Sequence, residues 1–455
     1  MRKEEILLFR CSFRGLTNIN QYEELIKVFV DKDDYEICHV DDESCRLFEY
    51  SGDGDLLKRD IYESLASYTG KRPKWGILTG IRPVKLAGEL YDLYRDYDKV
   101  ERILSERYLL HHDKIDLVED ILRYQLETAG KAEPGSLGIY IGIPFCPTRC
   151  LYCSFTSNQA DRKEIDRYLE ALCREIKYCG RRVREENYRI ESIYIGGGTP
   201  TSLDELQMEI LLDTVENNFD LGDLKEFTVE AGRPDTFTEE KLNIMKKHRV
   251  NRISINPQTM HDATLEIIGR SHTVEQTEKA FEMAELSGIE CINTDLIAGL
   301  PGESVEDFQE SIKKIVEAGA DNITLHTLAV KRASRLKEID AGFNYRNADI
   351  CESMLRYAHE YLRKNGYRPY YLYRQKHTSG NTENVGFCRN GKISLYNIRI
   401  MQETQSVLAI GAGGISKVYF PAENRLERVA NVSNYQIYID RIDEMIERKE
   451  NNFWR

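Results

Sequence analysis

From Leu137 the chain alternates strand-like and helix-like segments six times, and this alternation limits the possible folds more than any other feature. Strands are expected over 139–143, 192–195, 226–230, 252–256, 291–297 and 322–327. Helices are expected between them, near 163–179, 203–217, 239–248, 274–287 and 305–317. Short apolar runs separated by amphipathic helices point to a parallel sheet, because parallel neighbours need a crossover long enough to carry the chain back. Six units fall short of the eight of a closed barrel. The expected fold is therefore α/β, a partial (β/α)6 barrel. Gly180, Gly288 and Gly319 read as helix stops.

The flanks read differently. Residues 1–130 open with strand-like EILLFRCSF, a helix near 22–30 and the short strands YEICHV and CRLFEY, then turn helical from Asp55. The polar stretch GKAEPGSLG, 130–138, reads as a linker. Residues 349–455 carry a helix at 350–364, tyrosine-rich strand-like segments and a C-terminal helix near 435–448. The expected organisation is an N-terminal α+β region of unassigned role over 1–130, the barrel core over 131–348, and a C-terminal α+β extension over 349–455 that covers the substrate.

Cys146, Cys150 and Cys153 stand in IGIPFCPTRCLYCSF with C-x3-C-x2-C spacing, on the loop after the first barrel strand. Three thiolates so close suit a metal or an iron–sulfur cluster. A cubane needs four ligands, so three cysteines leave one iron open for a small molecule. No histidine is near enough in sequence to complete a tetrahedral zinc site. The net charge of -13 argues against broad nucleic-acid binding and against docking on an anionic membrane. No apolar run approaches a membrane span of about 20 residues. The 11 cysteines show no disulfide-framework pattern, which fits a reducing cytoplasm.

Chemistry in a βα barrel sits at the carboxyl ends of its strands. Those ends carry Gly196-Gly197-Gly198-Thr199-Pro200 after strand two, Glu230 and Arg233 after strand three, and Asn256-Pro257-Gln258 after strand four, with Arg270 twelve residues on. Strand five holds Asp295 and Ile297, and strand six runs into Ala329. Glycines let a ligand approach the backbone, and a carboxylate accepts hydrogen bonds from an ammonium or from ribose hydroxyls. Any one of these residues alone is as well explained as a cap or a turn. Together, they all fall at the same end of successive strands, which points to a shared site.

The segment GIYIGIPFCPTRCLYCSF, with Tyr140 six residues before the first cysteine, resembles the cluster loop of the radical S-adenosylmethionine (SAM) enzymes. The closer likeness is to the oxygen-independent coproporphyrinogen III oxidase family and its coproporphyrinogen dehydrogenase branch. The resemblance implies a [4Fe–4S] cluster on Cys146, Cys150 and Cys153. It implies a SAM site from Tyr140, Gly197, Gly198, Thr199, Glu230, Gln258, Arg270, Asp295, Ile297 and the backbone of Ala329. Phe145, Tyr152 and Phe155 would shield the cluster.

The resemblance further implies oxidative decarboxylation of coproporphyrinogen III to protoporphyrinogen IX in heme biosynthesis. A reducing donor such as flavodoxin or ferredoxin would serve it. Four substrate carboxylates call for cations. Candidates are Arg72, Lys74, Arg82 and Lys85, or Lys331, Arg332 and Arg335, with 367–373 (YRPYYLY) flanking a flat ring.

The sequence departs from that family in two places. Phe155 stands where the characterised oxidases have a fourth cysteine, and the segment from Tyr373 through Gln375 to His377 replaces a Phe-Gln-Gly-Tyr motif. The alternative readings are a heme-binding chaperone and a heme-modifying (methyltransferase or ring-opening) enzyme. The chaperones carry His-Asn-x-x-Tyr-Trp ahead of a glycine-rich loop. Here Tyr396-Asn397 precedes the loop at 411–414.

Overall fold

The computed structural model describes residues 8–40, 42, 44–80, 82–153, 158–329, 336, 348–375 and 382–454. It divides into two compact units, Met1–Arg123 and Tyr124–Arg455.

In the first unit, β1 (Phe9–Arg14) lies between β2 (Tyr35–Ile37) and β3 (Arg46–Glu49) in a parallel three-stranded sheet. Phe9, Cys11 and Phe13 pack on Tyr22, Leu25, Ile26 and Phe29 of helix Asn20–Phe29 and on Ile61 and Leu65 of helix Gly54–Thr69. The alternation Phe-x-Cys-x-Phe supplies the buried face of β1. Cys38 and Cys45 are joined in a disulfide, which the scattered cysteine pattern did not lead us to expect.

The second unit is built on one eleven-stranded sheet. Its strands are β4 (Ser136–Ile143), β5 (Arg189–Gly197), β6 (Glu226–Glu230), β7 (Arg252–Ser254), β8 (Cys291–Ala298), β9 (Asn322–Thr327), β10 (Arg368–Arg374), β11 (Glu383–Cys388), β12 (Ser406–Ile410), β13 (Ile415–Phe420) and β14 (Arg425–Ala430). Strands β4 to β9 pair in parallel in chain order, as the six-fold alternation requires. The C-terminal region adds to both edges. β12 joins β4 as a seventh parallel strand, and β11 pairs antiparallel with β9. The five expected crossover helices are present as Arg162–Glu185, Glu205–Asn218, Glu239–Lys247, Val274–Ser287 and Val305–Glu317.

Two local expectations are corrected. Gly180 does not end a helix but lies within Arg162–Glu185. A Cβ there would stand 2.3 Å from the Asn218 carbonyl oxygen, so this glycine serves close packing. The single C-terminal helix is two, Tyr435–Asp440 and Ile442–Asn452, broken at Arg441.

Buried ion pairs tie the C-terminal region to the sheet. Arg399 of helix Leu395–Gln402 bonds to Glu191 of β5 at 2.9 Å. Glu226, at the start of β6, accepts from the Leu395 N–H at 2.6 Å and the Tyr396 N–H at 3.2 Å. A carboxylate facing a helix amino end satisfies donors that have no partner within the helix. This helix therefore packs at the amino ends of the strands and leaves the carboxyl ends for chemistry.

Candidate active site

After β4 the chain turns through Pro144 and Phe145 into the cysteine loop. The Cys146 N–H donates to the Asn158 carbonyl at 3.0 Å, and the Leu151 N–H donates to the Ile268 carbonyl at 2.9 Å. None of Cys146, Cys150 and Cys153 is joined in a disulfide. The glycine segment after β5 is laid against this loop. The Gly198 N–H reaches the Ile143 carbonyl at 2.8 Å, and the Thr199 N–H reaches the Phe145 carbonyl at 2.7 Å. The Thr199 hydroxyl donates to Cys146 Sγ at 3.5 Å. Burial pushes the Cys146 thiol up, and this hydrogen bond opposes it.

The glycines are there for close approach. A Cβ on Gly196 would lie 2.7 Å from the Tyr194 ring and 2.9 Å from Glu230 Oε2. On Gly198 it would lie 2.4 Å from the Phe145 carbonyl oxygen and 3.0 Å from Cys146 Sγ. Gly197 adopts φ +117°, and a Cβ there would stand 3.3 Å from the Tyr140 hydroxyl. Side chains at these three positions would fill the space between Tyr140, Glu230 and the cysteines.

Glu230 ends β6 half-buried. It accepts from the Tyr194 hydroxyl and, at 3.3 Å, from the Gly197 N–H. Burial pushes its carboxyl up to about 7, and neighbouring Asp295 adds to the shift. Tyr194 also stacks on Tyr396 at 4.5 Å, with Tyr140 alongside. Tyr140 and Tyr194 are register partners on β4 and β5.

Gln258 takes φ +75°, unusual for a residue with a side chain. Backbone bonds to the Asp295 carbonyl (3.1 Å) and from the Ile297 N–H (3.0 Å) fix it there. Arg270 donates to the Asn256 carbonyl at 2.6 Å and to the Tyr152 hydroxyl at 3.2 Å. Its Nε and Asn256 Oδ1 are buried without hydrogen-bond partners. Ile297 packs with Leu265, Ile268, Leu300 and Leu328, with Leu151 and Tyr152 of the cysteine loop against them. The Asp295 carboxylate lies 3.6 Å from His326 Nε2, and His326 Nδ1 meets the Tyr373 hydroxyl at 3.0 Å.

The structure therefore brings the expected residues of β4 to β9 to one end of the sheet. Ala329 follows β9 there, half-buried. Tyr194, His326 and the place of Tyr373 were not expected from the sequence. Strand alternation offers a signal for two of them. Tyr194 lies two residues before Gly196 on the same face, and His326 pairs in register with Ile297 on β8. Arg233 follows Glu230 at the end of β6. It is 3% exposed, forms a two-point pair with Asp235 and donates to Thr148 of the cysteine loop at 2.9 Å.

Phe145 is buried edge-on against Tyr168 and Tyr435, while Phe155 lies outside the described residues. Among the candidate cations, Arg72 pairs with Glu63 at 2.9 Å, Lys74 with Asp113 at 3.7 Å and Lys85 with Glu89 at 3.9 Å on the first unit. Lys331, Arg332, Arg335 and His377 lie outside the described residues.

A partial parallel barrel with three closely spaced cysteines after its first strand defines a class, and comparison identifies it. The sequence model of the Radical SAM superfamily matches residues 140–315. The oxygen-independent coproporphyrinogen-III oxidase-like protein HemZ of Bacillus subtilis (strain 168) is 38% identical over 390 residues, which is 85% of this chain and 78% of that protein. The heme chaperone HemW of Lactococcus lactis is 35% identical over 237 residues, 51% of this chain and 60% of that protein. The solved coproporphyrinogen III oxidase HemN of Escherichia coli, a radical SAM enzyme, shares the fold with a TM-score of 0.53 at 20% identity. That likeness covers 68% of this chain and 70% of HemN.

The chain belongs to the radical SAM superfamily and, within it, to the family of HemZ-like, oxygen-independent coproporphyrinogen-III oxidase-like proteins. Its cofactors are those of the superfamily, a [4Fe–4S] cluster and SAM. Among the described residues, no helix is long and apolar enough to cross a membrane.

Proposed function

We propose that the protein carries out oxygen-independent oxidative decarboxylation of coproporphyrinogen III to protoporphyrinogen IX. The observation that carries this reading is the 38% identity to HemZ, which extends over 390 residues and so well beyond the matched core of 140–315. In this reading Cys146, Cys150 and Cys153 hold the cluster. The SAM site is Tyr140, Gly197, Gly198, Thr199, Glu230, Gln258, Arg270, Asp295, Ile297 and Ala329.

The residues fit both groups. Three cysteines outside any disulfide can ligate three irons of a cubane and leave the fourth without a protein ligand. Gly196, Gly197 and Gly198 keep open a cradle that any side chain would fill. The orphaned Asn256 Oδ1 and Arg270 Nε are buried polar atoms that a polar ligand would satisfy. When bound, the two groups supply one-electron cleavage of the SAM sulfonium and hydrogen-atom abstraction from a substrate carbon.

The protein's own part is to bind and orient. Glu230 accepts from the SAM ammonium, Asp295 takes the ribose hydroxyls with His326 behind it, and Ile297 offers an apolar wall. Tyr373 of β10, stacked on Tyr371 at 6.2 Å, meets His326 edge-on. The extension over 349–455 covers the substrate, and a flavodoxin or ferredoxin supplies the electron.

A heme-chaperone reading is favoured by the 35% identity to HemW. Against it, Tyr396, at the place of the chaperone histidine, is buried and stacked on Tyr194 and so is withdrawn from an incoming heme iron. The test is an anaerobic assay of reconstituted, reduced protein with SAM and coproporphyrinogen III, reading 5′-deoxyadenosine and porphyrin products by mass spectrometry. Deoxyadenosine together with vinyl products is expected. Tight heme binding with no change in the porphyrinogen would overturn the oxidase reading.

A further inference from the structure

On the outside of the sheet, helix Glu205–Asn218 packs beside helix Glu239–Lys247. Glu209, Asp213 and Glu216 fall on one face of the first helix, spaced by four and three residues. His248 follows the second helix directly and faces all three. Its side chain is 2% exposed.

The two ring nitrogens differ. Nδ1 lies 2.8 Å from Glu216 Oε2. A carboxylate only accepts, so Nδ1 carries a proton and donates it. In the neutral ring Nε2 then keeps its lone pair. Nε2 is buried and has no hydrogen-bond partner. It stands 3.4 Å from Glu209 Oε1 and 3.8 Å from Asp213 Oδ1. These separations are long for hydrogen bonds. They match the edge of a coordination polyhedron, since two ligands each about 2.0–2.2 Å from one tetrahedral ion lie about 3.4 Å apart. The three ligand atoms all fall within 4.8 Å of one another. Glu216 behind the imidazole completes the carboxylate–histidine–metal arrangement that fixes tautomer and ring orientation.

We propose that Glu209, Asp213 and His248 form a divalent-cation site of the zinc class, separate from the cysteine loop. One imidazole and two carboxylates suit a borderline ion. Water completes the shell, because the Asp213 side chain is 55% exposed. Two neighbouring cations bear on it. Lys247 holds the same Glu209 Oε1 that faces Nε2, so the ion would have to displace it, and Arg249 lies 3.8 Å from Glu216. The bound ion links two helices that otherwise meet through packing and these charged side chains.

The test uses full-length protein reconstituted with its iron–sulfur cluster, so that the three thiols are occupied. It is dialysed against micromolar zinc, and zinc and iron per chain are counted by mass spectrometry. One zinc per chain beyond the iron is expected, with a thermal midpoint raised by zinc. Asp213→Asn, at an exposed position, should keep the fold and the iron and lose the zinc. Glu216→Gln should bind zinc about 10–100-fold more weakly, the usual cost of losing an outer-shell partner. His248→Gln should lose both zinc and the midpoint shift. If it fails to fold, Asp213→Asn decides alone. A wild-type protein without the extra zinc would overturn the site. Unchanged zinc affinity in Asp213→Asn would overturn it equally.

Discussion

At the scale of single residues, Glu230 couples the site to pH. Its carboxyl ionises near pH 7 in the folded chain, against an ordinary 4.5. Between these values the folded protein holds a proton that the unfolded chain has released. The stability of the ligand-free protein therefore falls as pH rises through this window. Glu230→Gln should flatten the dependence, with a gain of at most about 3 kcal/mol above neutrality, read by urea unfolding at several pH values. In the proposed site, the ammonium of SAM needs the ionised form. SAM affinity should thus rise through pH 7 in the wild type and lose that rise in Glu230→Gln. Asp295→Ala should weaken SAM binding by about 1.5–3 kcal/mol, the range for hydrogen bonds to a charged group, with iron content unchanged. Equal affinity in a titration would remove Asp295 from the site.

At the scale of elements, the docking of the C-terminal helix depends on one buried pair. Lys449 Nζ lies 2.5 Å from Glu175 Oε1, both fully buried. Glu175 also accepts from Tyr438, Asn431 and the Gly411 N–H. Lys449→Ala leaves that carboxylate without its counter-charge and should cost about 3–5 kcal/mol. An unfolding midpoint equal to wild type would contradict this.

The elements also show what the sequence discloses. Strands β6 and β9 were legible to the residue, since 226–230 and 322–327 are short runs between plain helical signals. The role of β12 was not. Ser406–Ile410 reads as a short apolar run, and its pairing with β4, some 270 residues earlier, leaves no local signature. The strand-end candidates were legible because they fall at the same end of successive strands. The His326–Tyr373 contact was not, because it joins β9 to a strand on the far side of a long crossover. Gly180 misled for the same reason, since its partner is a neighbouring helix.

At the scale of the molecule, the second unit is one sheet whose seven parallel strands present the cysteine loop, the glycine cradle, Glu230 and Asp295 at a common end. In the proposed reading, this end cleaves SAM on a cluster held by three cysteines. The most direct measurement is 5′-deoxyadenosine formed per chain by reconstituted, reduced protein, compared between wild type and Cys150→Ala with iron counted in both. Deoxyadenosine from the wild type, and neither cluster iron nor deoxyadenosine from Cys150→Ala, is the predicted result. A variant that retains wild-type yield would contradict the account.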